Sequence, residues 1–228
     1  MSVSIIIPAV NEAKNLPRLL RRLQDKRASG IAEVILVDGG STDGTQEIAR
    51  GAGCLVLQSE RCCRAAQMNM GAAHATGAVL QFVHADTLPP IENCRYVRQA
   101  IEEGYEIGSY AFRFDSHNPL LRINSWFTRL DKLWCRGGDQ AIFITRRLFD
   151  ELQGYRDMAI MEEYDLILRA RQRYAFKIIK TPPVTVSARK YAKNGYLRVQ
   201  IANLVVFQMF KRGYPPERLA RTYKRLLN

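Results

Sequence analysis

Strand-like and helix-like stretches alternate over roughly the first 115 residues, and that rhythm leaves few folds open. Short runs rich in β-branched and aromatic residues fall near 3–7, 33–37, 55–58, 79–83 and 106–114. Longer stretches of helical character fall near 13–27, 43–52, 62–75 and 89–103. This order predicts an α/β fold, with a mainly parallel, Rossmann-like sheet covered by helices on both faces. In open sheets of this kind, ligands gather beyond the carboxyl ends of the strands. The residues that close each strand are therefore the first candidates for chemistry.

Two strand ends carry carboxylates. The run Glu33-Val34-Ile35-Leu36-Val37 leads into Asp38-Gly39-Gly40-Ser41-Thr42-Asp43-Gly44-Thr45. The glycines clear side chains from the turn and allow positive φ, while the Ser/Thr/Asp cluster suits the start of a helix near Gln46. Asp38 then serves either an arriving ligand or the turn itself. The run 78–83 ends in His84-Ala85-Asp86-Thr87, ahead of Pro89-Pro90. An imidazole and a carboxylate two residues apart point the same way while the chain is extended. Together they suit a divalent cation that also carries phosphate oxygens. The plainer reading is a strand end capped by Asp before a proline-led helix.

Beyond residue 115 the pattern changes. Leu120, Ile123, Phe127, Leu130 and Trp134 form a stripe on an expected helix from Pro119 to Trp134, which Gly137-Gly138 ends. A strand near 141–144, helices near 146–152 and 162–173, and a strand near 176–180 follow, and Pro182-Pro183 marks a joint. The expected organisation is a catalytic domain over 1–182 and a basic helical extension over 183–228.

Charge is concentrated in the last part of the chain. From residue 166 onward, 15 Lys/Arg face one acidic residue, Glu217, within a total net charge of +12. Such a block implies an anionic partner, whether a phosphate-bearing substrate, an acidic membrane surface or nucleic acid. No zinc-finger or RNA-recognition pattern accompanies it, so no nucleic-acid partner is expected. The apolar stretch from Tyr196 to Phe210 is too short to span a bilayer and is interrupted by Gln200, Asn203 and Gln208. It reads as a core helix, or as an interfacial one flanked by Arg198, Lys211 and Arg212. The five cysteines show no C-x-x-C spacing, which argues against a disulfide framework or zinc site. With no secretory leader in view, the expected location is the cytoplasm, with a place at the inner face of the membrane left open.

Several blocks in order resemble one family. Ser4-Ile5-Ile6-Ile7-Pro8-Ala9-Val10-Asn11-Glu12, then 37–45, then Arg64 to Gly77 running into His84-Ala85-Asp86, are similar to the opening of family 2 glycosyltransferases. Gly137-Gly138-Asp139-Gln140-Ala141-Ile142-Phe143 and Met161-Glu162-Glu163-Tyr164-Asp165-Leu166 resemble its acceptor-side block and acidic-pair motif. The likeness covers about residues 3 to 172. It is nearest to small bacterial members found beside radical-SAM enzymes, in which His-Ala-Asp replaces the commoner Asp-x-Asp.

The resemblance implies a GT-A fold and metal-dependent, inverting transfer of a sugar from a nucleoside diphosphate donor to a hydroxyl acceptor. It implies Mn²⁺ or Mg²⁺, with Asp86 as ligand and His84 as a second ligand or water-mediated contact. Pro8, Ala9, Glu12, Asp38, Arg64 and Asp86 are the expected nucleotide-binding residues. Asn11 is also read as a helix N-cap. Arg189 and Lys190 are candidates for the donor diphosphate. The general base falls within Glu162, Glu163 and Asp165, with Glu163 where the family has its catalytic Asp and Asp139 as rival. By itself, the acidic cluster reads as a helix first turn suited to the helix dipole. Two other classes stay open. A nucleotidyltransferase would need a glycine-rich triphosphate loop, which Ile7 to Glu12 is not; a non-catalytic nucleotide-sugar or anionic-membrane binding protein would have no use for the acidic cluster.

Overall fold

The computed structural model describes residues 1–25 and 30–227. Its eight strands are β1 (Val3–Ala9), β2 (Ile31–Asp38), β3 (Leu55–Gln58), β4 (Val79–Phe82), β5 (Thr87–Leu88), β6 (Ile107–Phe114), β7 (Phe143–Thr145) and β8 (Phe176–Val186). They form one sheet in the order β3-β2-β1-β4-β7-β6-β8-β5. The β3-β2-β1-β4 half is parallel; β7 runs antiparallel to both β4 and β6, and β6 is parallel to β8. Strand β1 is buried along its whole length. Its alternate residues feed two cores, with Val3, Ile5, Ile7 and Ala9 on one face and Ile6 beside Ile35 and Val37 on the other. The mainly parallel, helix-covered GT-A sheet expected from the sequence is the architecture observed.

Helices α1 (Leu16–Leu23), α2 (Thr45–Gly51), α3 (Arg64–His74) and α4 (Asn93–Glu102) connect the early strands. The helix expected over 13–27 begins later, at Leu16, after a turn in which the Glu12 carbonyl accepts from Asn15 and Leu16 N–H; positions 26–27 lie outside the described residues. Contrary to expectation, Asn11 is not its N-cap, since Asn15 holds that position. Asn11 takes φ of 55° and ties down the neighbouring loop, its side-chain oxygen accepting from Thr42 N–H at 2.9 Å. Gly71 lets α3 lie against the sheet: a Cβ there would stand 2.5 Å from Ile6 Cγ2.

Two expectations are corrected in the second half. Helix α5 (Pro119–Phe127) stops well before Trp134 and buries Leu121 and Ser125, leaving Leu120, Ile123, Phe127 and Trp134 exposed. The cause is Arg136, a buried guanidinium that donates to the carbonyls of Thr128 (2.5 Å) and Leu130 (2.7 Å) and so diverts the backbone into a turn. The joint expected at Pro182-Pro183 lies within β8. Prolines lack an N–H for the ladder, so register with β6 jumps from Tyr110↔Ile179 to Phe112↔Val184, and pairing resumes to Val186. The remaining helices are α6 (Arg146–Glu151), α7 (Glu162–Ala170), α8 (Arg189–Asn194), α9 (Tyr196–Lys211) and α10 (Pro216–Leu227). The last three form the basic extension. Helix α9 buries Val199, Ala202 and Val206 and exposes Leu197, Ile201 and Leu204. Among the described residues, no helix is long and apolar enough to cross a membrane.

Candidate active site

A cavity of about 870 Å³ opens beyond the ends of β1 and β4, roofed by α5, α7 and the C-terminal helices. Its lining brings together Pro8, Ala9, Glu12, Arg64, His84, Asp86, Asp139, Glu162, Glu163, Arg189 and Lys190. Residues separated by as much as 177 positions therefore meet, and two of the candidates named from the sequence stay outside the cavity.

The exceptions are Asp38 and Asp165, neither of which lines the cavity. Asp38 is fully buried and accepts from Gly40 N–H (3.0 Å), Ser41 N–H (2.9 Å), the Ser41 hydroxyl and Gln46 Nε2 (2.8 Å). Burial works against its charge, but these donors hold its carboxyl below the usual range. Its carboxylate is occupied by the turn. Asp165 accepts from Arg169 Nε at 2.7 Å and Arg156 at 3.2 Å, which anchors α7.

At the sheet edge, β4 delivers His84 and Asp86, and a tight turn at 138–140 delivers Asp139. One ligand atom from each of these three residues lies within 4.8 Å of the others. His84 Nδ1 is 3.1 Å from Asp139 Oδ1 and Nε2 is 3.6 Å from Glu163 Oε1. Burial opposes protonation of His84, yet its hydrogen bond to Asp139 and the adjacent Glu163 carboxylate push the imidazole up to about 9. Enclosure also opposes charge on Asp139, but His84 holds it down to about 2. Asp86 is raised, first by burial and then by the charge of Asp139, while Arg189 and His84 act against the rise. Two carboxylates that repel each other, with an imidazole beside them, offer a donor set that fits a divalent cation of the Mn²⁺ or Mg²⁺ kind. Asp139 as a member of this group was not anticipated; the glycine pair before it, which frees the turn, was the available signal.

Helix α7 supplies the opposite wall. Met161 takes a φ of 67° just before it, and Glu162 and Glu163 occupy its first turn, both buried. Arg64 faces both at 3.8 Å. Burial and the neighbouring Glu163 charge raise Glu162; burial acts the same way on Glu163, but His84 and Arg64 outweigh it and keep Glu163 low. Each carboxylate leaves one buried oxygen without a hydrogen-bond donor. Held ionised by His84 and Arg64 at the cavity wall, Glu163 is a carboxylate placed to take a proton. Asn69 shapes the approach to this wall by exchanging hydrogen bonds with the Tyr155 backbone at 2.8 and 2.9 Å.

The C-terminal extension closes the third side. Arg189 pairs with Glu12 (3.0 Å) and with Asp86 (3.1 Å), bridging the ends of β1 and β4. Lys190 places its ammonium 4.9 Å from the centre of the Tyr223 ring.

Comparison with known proteins bears on the family and the fold. The sequence model of Glycosyl transferase family 2 matches residues 4–156. The chain is 33% identical over 223 residues to 4,4'-diaponeurosporenoate glycosyltransferase of Staphylococcus haemolyticus, covering 93% of this chain and 58% of that protein. It is 32% identical over 136 residues to undecaprenyl-phosphate 4-deoxy-4-formamido-L-arabinose transferase of Aeromonas hydrophila, covering 56% and 40%. With glycosyltransferase AglE of Haloferax volcanii, 35% identity extends over 94 residues, or 38% and 31%. The chain thus spans from about a third to just over half the length of these relatives. Among solved structures, glucosyl-3-phosphoglycerate synthase of Mycobacterium tuberculosis, crystallised with Mn²⁺, UDP and glucosyl-3-phosphoglycerate, superposes with a TM-score of 0.67 at 18% identity. That match covers 94% of this chain and 81% of the other. TarS of S. aureus (residues 1–349) gives 0.67 at 15% identity, covering 100% and 71%.

Proposed function

Because the chain belongs to glycosyl transferase family 2, we propose that it transfers a sugar from a nucleoside diphosphate donor to an acceptor hydroxyl, with inversion at the anomeric carbon. The observation that carries this reading is the meeting of His84, Asp86 and Asp139 at one end of the cavity, with the buried Glu163 carboxylate beside them, 3.6 Å from His84. The UDP and Mn²⁺ bound by the mycobacterial synthase support a nucleotide donor and a metal partner of the same kind.

In this reading His84, Asp86 and Asp139 hold Mn²⁺ or Mg²⁺, which when bound would neutralise charge on the donor diphosphate. Pro8, Ala9 and Glu12 line the nucleotide's side of the cavity. Without a donor, Arg189 is engaged by Glu12 and Asp86; when diphosphate arrives, the guanidinium turns to its oxygens as a planar fork, with Lys190 beside it. Glu163 accepts the proton of the acceptor hydroxyl as that oxygen bonds to the anomeric carbon. The bond from that carbon to the diphosphate breaks, and its electron pair leaves on the diphosphate oxygen. Arg64 keeps Glu163 ionised and Glu162 shares the buried charge. Asp38 and Asp165 hold the turn and the helix that present these groups.

The names of two relatives, which carry undecaprenyl phosphate and 4,4'-diaponeurosporenoate, support an acceptor that is itself lipid-like. A thermal-shift screen against UDP-, GDP-, ADP- and dTDP-sugars with Mn²⁺ or Mg²⁺ tests the reading. Metal-dependent stabilisation by one diphosphate-sugar class is expected. Preference for nucleoside triphosphates would overturn it in favour of nucleotidyl transfer.

A further inference from the structure

The cavity has two unlike ends. Its floor carries the charged groups above, whereas its outer half is walled by Phe112, Phe114, Phe127, Trp134, Leu204 and Phe207. That wall continues onto the surface. Trp126 packs on Phe127 (ring centres 5.5 Å apart) and Phe127 on Trp134 (5.7 Å), with Trp126 and Trp134 more than half exposed. Across the mouth, Ile201 and Leu204 on α9 are 55% and 60% exposed. An apolar surface that begins inside a cavity and runs out over its rim is unusual for a water-facing surface and marks a binding site.

The polar groups in this half are mostly spent on one another. Asn124 donates to the Tyr191 hydroxyl (3.1 Å), the Thr128 hydroxyl to the Ser125 carbonyl (2.6 Å), Tyr223 to Asn203 (3.1 Å) and Tyr164 to the Arg136 carbonyl. A polyhydroxylated acceptor would find few free partners here and would lose its hydration without replacement. A hydrocarbon chain loses nothing and gains contact with aromatic faces.

We infer that the outer half is the acceptor subsite, and that it takes an amphiphile whose hydroxyl reaches Glu163 while its hydrocarbon chain lies between Phe127 and Trp134 on one side and Leu204 and Phe207 on the other. The inference rests on the transfer reading above and adds to it the surface that would hold the acceptor's hydrocarbon chain. The direction follows from the floor, since the donor's diphosphate belongs with Arg189 and the metal group and leaves only the apolar mouth for the second substrate.

Of the two tryptophans of the chain, Trp134 lines the cavity and Trp126 packs on Phe127 at its rim, so their emission reports on this wall. The probe is a series of straight-chain primary alcohols from butanol to dodecanol, each below its solubility limit, titrated with UDP and Mn²⁺ present. Emission should shift to shorter wavelength, and apparent affinity should rise about two- to fourfold per added methylene. Leu204→Glu and Phe127→Ser should each flatten that dependence on length, while calorimetry shows UDP and Mn²⁺ bound as in the wild type. Wild-type protein that binds UDP but shows no dependence on chain length overturns the inference and leaves the transfer reading standing. A tryptophan shift with phospholipid vesicles and none with alcohols also overturns it, in favour of membrane docking. Failure to bind any nucleotide diphosphate counts against the transfer reading, and the alcohol titration remains readable on its own.

Discussion

Replacing Glu163 by glutamine separates chemistry from binding at this site. The substitution keeps volume and shape but removes the charge placed to accept the acceptor's proton. The Glu163 side chain is 6% exposed, and its Oε1 stands 3.6 Å from His84 Nε2 and 3.8 Å from Arg64. Loss of a positioned general base lowers turnover by about a hundred- to ten-thousandfold, equivalent to about 3–5 kcal/mol on the barrier. Stability should move little. The neutral amide would lose attraction to His84 and Arg64, but the buried repulsion with Glu162 goes too, so a net change of about 1 kcal/mol or less is expected, or about 2–4 °C in Tm. Release of nucleoside diphosphate gives turnover, and calorimetric titration of the donor gives Kd, which should stay within about threefold of the wild type. Asp139→Asn is the paired control: as part of the metal group it should lose metal-dependent donor affinity. If Glu163→Gln turns over normally while Asp139→Asn binds donor and does not turn over, the assignments are reversed.

Three further outcomes follow from the structure. Arg189→Ala should weaken donor affinity, yet cost no more than about 1 kcal/mol in urea denaturation, because the Arg189 side chain, set between the carboxylates of Glu12 and Asp86, is half-exposed and its charge is accessible to water; unchanged donor affinity would remove Arg189 from the diphosphate. Gly108→Ala would place a Cβ 2.5 Å from the Lys177 carbonyl oxygen in the adjoining strand, so β6 and β8 must part and stability should fall by about 1–3 kcal/mol by chemical denaturation. Without added metal, stability should decline between about pH 6.5 and 9: folding raises the His84 imidazole to about 9, so its contribution is full below the unfolded value and is lost as pH climbs through the folded one. Tm measured across that range should slope downward for the wild type and less so for His84→Asn, and Mn²⁺ affinity should rise over the same interval as the imidazole gives up its proton.

Much of this was legible locally. The strand endings at His84-Ala85-Asp86 and the buried run Val3 to Ala9 follow from β-branched composition and position, and the sheet forms where those runs fall. Longer-range settlements were not legible. Asp38 could serve a ligand or a turn, and only the convergence of Ser41 and Gln46 on its oxygens decides for the turn. Asp165 looked equivalent to Glu162 and Glu163, but helical spacing turns it toward Arg169 one turn on. The stripe from Leu120 to Trp134 carries a core-helix pattern. Arg136, buried from the next segment, breaks the helix and turns those residues outward. The place of Asp139 beside His84 depends on a loop closing across 55 residues, which no local pattern encodes.

The central claim is that His84, Asp86 and Asp139 act as one metal group for a nucleotide-sugar donor. It is tested most directly by titrating UDP into the protein by calorimetry with Mn²⁺ and again with excess EDTA, for the wild type, Asp86→Asn and Asp139→Asn. UDP should bind the wild type with Mn²⁺ and lose most of its affinity with EDTA, and each variant should resemble the EDTA condition even with Mn²⁺ present. Equal binding of UDP with and without metal, or full Mn²⁺-dependent binding in both variants, would contradict the account.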